Sequence, residues 1–94
     1  MQMNQIDGKN RGEVTLFTLS TCIWCKKTKA LLQEMAVAYK FVDVDLLEGI
    51  EKEKALEELK RFNPSCSFPS LVVNSTTCIV GFDEAKIKEA LKEE

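Results

Sequence analysis

EVTLFTLSTCIWCKKTK, residues 13–29, sets an apolar run directly before two cysteines three positions apart, with lysines behind them. Val, Thr, Leu and Phe dominate residues 13–20, the composition of a strand buried on both faces. From Ile23 to about Ala36 the apolar residues Leu31, Leu32 and Met35 recur at helical spacing, with Lys and Gln between them. Cys22 therefore falls where a strand ends and a helix begins. The first-turn N–H groups of a helix are unpaired and carry the positive end of its dipole, so an anion is favoured there. Cys25 lies one turn further in and should be more covered.

The rest of the chain limits what such a pair can do. With 94 residues the sequence makes one domain, and 13 basic against 15 acidic side chains give a net charge of -2. No block of either sign points to nucleic acid or a membrane surface. No apolar run approaches the roughly 20 residues needed to span a bilayer. The polar opening, MQMNQIDGKNRG, lacks the apolar stretch of a signal peptide, so a cytoplasmic location is expected, where thiols stay reduced. Histidine is absent, which removes the commonest general base and metal ligand. Catalysis has to run on thiols, carboxylates or lysines.

Residues 1–12 read as a polar N-terminal extension and 13–94 as the domain. After the first helix, a second strand is predicted from Tyr39 to Asp45, then a helix over Gly49–Phe62 stopped by Asn63-Pro64. SLVVN and TCIV, separated by STT, suit an antiparallel hairpin. Asp83 is placed to cap a last helix, with Phe82 and Ile87 spaced as a hydrophobic staple. The order is βαβ followed by ββα. A βαβ unit requires a parallel pair with a right-handed crossover, so the expected fold is α/β, a mixed four-stranded sheet flanked by helices.

A C-x-x-C pair beside a βαβ pattern favours thiol–disulfide exchange. It can also be half of a zinc site, but the other two cysteines, Cys66 and Cys78, are eleven residues apart and do not make a second half. An iron–sulfur or zinc carrier using Cys22 is the competing reading. Trp24 should face outward, either shielding the helix start or contacting partners. Lys26, four residues past Cys22, could act on its sulfur, but three lysines in a row of four more simply make a solvated face.

STCIWCKKTK after an apolar strand, SFPSLVV in the middle and IVGFD before the last helix together resemble the glutaredoxin-like branch of the thioredoxin superfamily. The resemblance covers residues 13–94. It implies a thioredoxin-like fold, Cys22 as nucleophile and Cys25 as resolving thiol. It further implies that Pro69 is a cis-proline at the active site and that Phe68 offers its backbone to an extended substrate segment. Gly81 and Asp83 would lie at the rim of the same groove, beside Trp24, which is taken as a substrate contact on its expected exposure. Glutathione-dependent members carry a lysine where this chain has Leu19, Pro-Tyr where it has Ile23-Trp24, and a second glycine where it has Phe82. These differences resemble the ribonucleotide-reductase-associated redoxins, which take electrons from a reductase protein. The reading is a monomeric dithiol–disulfide oxidoreductase of protein disulfides. It has no cofactor, a reductase protein as donor with glutathione second, and no role for nucleic acid or membrane.

Overall fold

The structure, a computed structural model, describes residues 3–92. Among these residues five strands and three α-helices follow one another: β1 (Asn4–Ile6), β2 (Val14–Thr18), α1 (Ile23–Glu34), β3 (Tyr39–Asp43), α2 (Gly49–Phe62), β4 (Ser70–Val73), β5 (Thr77–Val80) and α3 (Glu84–Leu91). The sheet order is β1-β3-β2-β4-β5. β2 and β3 run parallel across α1, and the other strand pairs are antiparallel.

Period-two alternation divides the core between the two faces of the sheet. Leu16, Leu71 and Tyr39 join Leu31 and Leu32 of α1 and Ile87 and Leu91 of α3. Residues of the opposite parity in the same strands, Phe17, Val72 and Val42, pack with Ala55 and Leu59 of α2 on the opposite face. Burying each such Leu or Phe contributes about 1.5–3 kcal/mol. Phe82 packs against the same cluster as Ile87, as the staple spacing predicts.

Three expectations are corrected. The sheet has five strands, because Asn4–Ile6 of the extension pairs with β3, Asn4 opposite Phe41 and Ile6 opposite Tyr39. Its polar side chains stay largely exposed, and the backbone makes the pairing, so hydropathy carries no trace of it. The second strand stops at Asp43, and Val44–Leu46 forms a 3₁₀ turn that sends Asp45 toward Ser20. The first helix stops at Glu34, two residues early. Ala36 takes a positive φ of 57° with no glycine to mark the stop. Its carbonyl then accepts the N–H of Lys9 at 2.7 Å.

Candidate active site

Cys22 is the N-cap of α1, in extended conformation, and its sulfur accepts the N–H of Cys25 at 3.2 Å. A thiol is a poor cap and a thiolate a better one, so the geometry suits an anionic sulfur. Cys22 remains partly exposed, while Cys25 is fully buried. The Cys25 thiol is pushed up to about 12. Burial is the main cause, its hydrogen bond to the Cys22 sulfur adds to it, and the N–H of Leu19 and the charge of Lys29 oppose it. One accessible sulfur and one covered, protonated sulfur lie one helical turn apart.

The loop before Cys22 is anchored from the side. Ser20 donates its N–H to Asp45 Oδ1 at 2.8 Å and its hydroxyl to Oδ2 at 2.5 Å. These bonds hold the exposed Asp45 carboxyl below the usual carboxylate range. With its folded value under the unfolded value of about 3.9, Asp45 favours the folded state at neutral pH, and this is lost as pH falls through the folded value. Ser20→Ala should therefore melt closer to wild type in strong acid than at pH 7, measured by circular dichroism. An equal difference at both pH values would show that the hydroxyl bond to Asp45 does not depend on its charge.

Beside the cysteines, Trp24, Phe68, Pro69, Gly81 and Phe82 line a shallow groove of about 280 Å³. The Phe68–Pro69 bond is cis. The N–H of Gly81 donates to the Pro69 carbonyl at 2.8 Å, which ties the two sides of the groove together. Gly81 takes φ +81°, a conformation that other residues adopt only with strain. The loop leading to Phe68 is held by buried Asn63, whose amide donates to Ser67 Oγ at 3.0 Å and Ser70 Oγ at 3.1 Å.

The fold thus gathers Cys22 and Cys25 at the start of α1 and Trp24, Phe68, Pro69 and Gly81 in the adjoining groove. Asp83 is the exception among the sequence candidates. Its carboxylate caps α3, accepting the Lys86 N–H at 3.1 Å, and it does not line the groove. Phe82, which stands where glutathione-dependent members carry a second glycine, lines the groove as that comparison implies. Its ring stacks on Trp24 at 6.1 Å between centroids and 25° between planes. Lys27 sits over the Trp24 ring, 4.6 Å from its centroid.

Cys66 and Cys78 both pack against the α2-side cluster, and burial pushes the Cys78 thiol up. Among the described residues no three Cys, Asp or Glu side chains gather as a metal site. No helix of the described residues is long and apolar enough to cross a membrane.

Comparison with known proteins agrees with this geometry. Residues 14–77 match the glutaredoxin family model. The structure superposes on methanoredoxin of Methanosarcina acetivorans with a TM-score of 0.88 and 50% identity, over 92% of this chain and 90% of that one. A glutaredoxin from Methanosarcina mazei Go1 gives a TM-score of 0.90 and 49% identity, over 99% and 90% of the two chains. A glutaredoxin-like 8.6 kDa protein in the rubredoxin operon of Clostridium pasteurianum is 28% identical over 79 residues, 84% of this chain and 97% of that protein. The α/β sheet, the C-x-x-C pair at the first helix and these matches lead to one conclusion: the chain belongs to the glutaredoxin family and is a thiol–disulfide oxidoreductase with a thioredoxin-like fold.

Proposed function

We propose that this chain reduces disulfides of other proteins, with Cys22 as the attacking thiolate, Cys25 as the resolving thiol and a reductase protein as electron donor. The observation that carries the reading is the asymmetry of the pair: Cys22 is reachable and accepts an N–H at a helix start, and Cys25 is fully buried one turn behind it. Cys22 attacks one sulfur of a substrate disulfide and forms a mixed disulfide. The displaced thiolate takes up a proton, and Cys25 then attacks Cys22. The substrate gains two electrons and leaves as two thiols, and the chain keeps a Cys22–Cys25 disulfide until the donor reduces it. Phe68 and Pro69 offer an extended segment a place to lie beside Cys22. Such a carrier works in a reducing compartment, in keeping with a cytoplasmic setting for electron transport and thiol homeostasis.

The choice of donor rests on two positions. Leu19 offers no cation to a carboxylate of glutathione. Phe82 fills the groove against Trp24, where a second glycine would leave room for a small tripeptide. A flat aromatic wall suits a protein surface better, since buried aromatic contacts dominate protein interfaces. The oxidised protein should be reduced faster by a protein dithiol reductase than by glutathione at matched reducing power. Equal or faster reduction by glutathione would overturn the donor assignment. Iron or zinc bound stoichiometrically after anaerobic purification, and lost on Cys22→Ser, would favour a carrier instead.

The stacked pair also sets a specificity prediction. Phe82→Gly removes the ring that supports Trp24 and widens the groove. It should raise KM for a protein disulfide about fivefold, within the roughly 0.5–1.5 kcal/mol an aromatic pair contributes, with kcat nearly unchanged. An unchanged KM would show that protein substrates do not use this wall.

A further inference from the structure

The buried resolving thiol poses a problem that the pair alone does not solve. To release product, Cys25 must lose its proton and attack Cys22, yet it is fully buried and has no histidine to take that proton. One turn further along the same face of α1 stands Lys29, four residues on, where side chains approach each other. Lys29 does not reach freely into solvent. Its ammonium lies 3.3 Å from Asp43 Oδ1 and 4.0 Å from the centroid of Phe41, and only 22% of the side chain is exposed. Asp43 is itself anchored, with the Thr18 hydroxyl 2.5 Å from the same oxygen, at the ends of the two parallel central strands.

From this arrangement, and resting on the exchange reading above, we infer that Lys29 is a positioning residue for the resolving step: held by Asp43 and Phe41, its charge stabilises the Cys25 thiolate as it attacks the mixed disulfide. The electrostatics run the same way. Among the influences on Cys25, the hydrogen bond to Cys22 and the Cys22 charge favour the thiol, whereas the Leu19 N–H and the Lys29 ammonium favour the thiolate. When Cys22 is tied up in a mixed disulfide it carries no negative charge, so the two Cys22 influences fall away. Burial then stands against Leu19 and Lys29 alone. The step balances: the Cys25 proton passes to a solvent base, the Cys22–substrate bond breaks, the Cys25–Cys22 bond forms, and the departing substrate thiolate is protonated. Asp43 acts through Lys29, holding its ammonium at 3.3 Å and out of free solvent.

A two-phase single-turnover measurement separates this step from the first. Reduced protein is mixed with one equivalent of 5,5′-dithiobis(2-nitrobenzoate). Attack by Cys22 releases one coloured thiolate, and attack by Cys25 on the mixed disulfide releases the second. The same mixing with Cys22→Ser subtracts release from Cys66 and Cys78. Lys29→Met keeps the apolar stem over Phe41 and removes the charge. It should leave the first phase within twofold of wild type and slow the second roughly three- to tenfold, the usual weight of one nearby charge on a thiol's ionisation. Lys29→Gln should do the same, and Lys29→Arg should restore the second phase. A second phase within twofold of wild type in folded Lys29→Met or Lys29→Gln would overturn the inference, as would equal slowing in Lys29→Arg. A wild-type protein with no first phase would instead overturn the exchange reading on which the inference rests.

Discussion

Cys25→Ser, mixed with a disulfide-bonded protein, should accumulate one covalent adduct per chain at Cys22, while Cys22→Ser should form none and lose disulfide reduction. The two outcomes differ because the sulfurs differ in access and charge. Burial pushes the Cys25 thiol up and leaves it no exposed surface, so it cannot replace Cys22 as the attacking group. Removing Cys22 therefore ends the reaction at its first step. Removing Cys25 leaves that step intact and deletes the thiol one helical turn behind Cys22 that would finish it, since a serine hydroxyl does not displace a thiolate. Non-reducing electrophoresis and intact-mass measurement read both results. An adduct on Cys22→Ser, or rapid turnover by Cys25→Ser with protein substrates, would reverse or dissolve the assigned roles.

How much of this was legible in the sequence depends on where each signal resides. β2 was legible because the short run Val14–Thr18 is rich in Val, Thr, Leu and Phe without helical spacing, which suits a two-faced strand, and Leu16 and Phe17 do point to opposite clusters. α2 was legible to the residue, Gly49 to Phe62, because Asn63-Pro64 forbids continuation. The cysteine pair declared itself by spacing and by its place at a strand–helix junction. β1 did not, since its contribution is made by backbone groups that every residue carries. Nor did the contacts that depend on strand order. Phe82 reaches Trp24, and Lys29 reaches Asp43, only because β2 lies between β3 and β4 and the helices cross that sheet. Asp83 shows a competing demand. As an N-cap it was readable from sequence, and a carboxylate occupied with the Lys86 N–H is a weaker candidate for the groove.

The extension supplies the second large effect: Gly8→Ala should destabilise the fold by about 1–3 kcal/mol, although Gly8 is an exposed residue in a polar segment. A Cβ at this position would stand 2.7 Å from three backbone atoms, the Ala36 oxygen, the Val37 carbon and the Ala38 nitrogen. Flexible side chains could turn aside from such a clash, but main chain cannot without breaking bonds. The bonds at risk flank the same place. Lys9 donates to Ala36 at 2.7 Å and accepts from Ala38 at 2.9 Å, which forms an isolated bridge opposite Val37. The positive φ of Ala36 presents that carbonyl to Lys9, so the early end of α1 and the docking of the extension depend on each other. The loss has a ceiling, because the segment can detach and leave the seven elements from β2 to α3 standing. Detachment would show as faster hydrogen exchange at the Lys9 and Ala38 amides, with the first phase of thiol exchange unchanged, since that chemistry sits at the opposite end of α1. Asp7→Ala, which adds no atom toward the helix end, is the control and should stay within about 0.5 kcal/mol of wild type. If Gly8→Ala melts with the control, the extension rests on the sheet more loosely than its backbone contacts require.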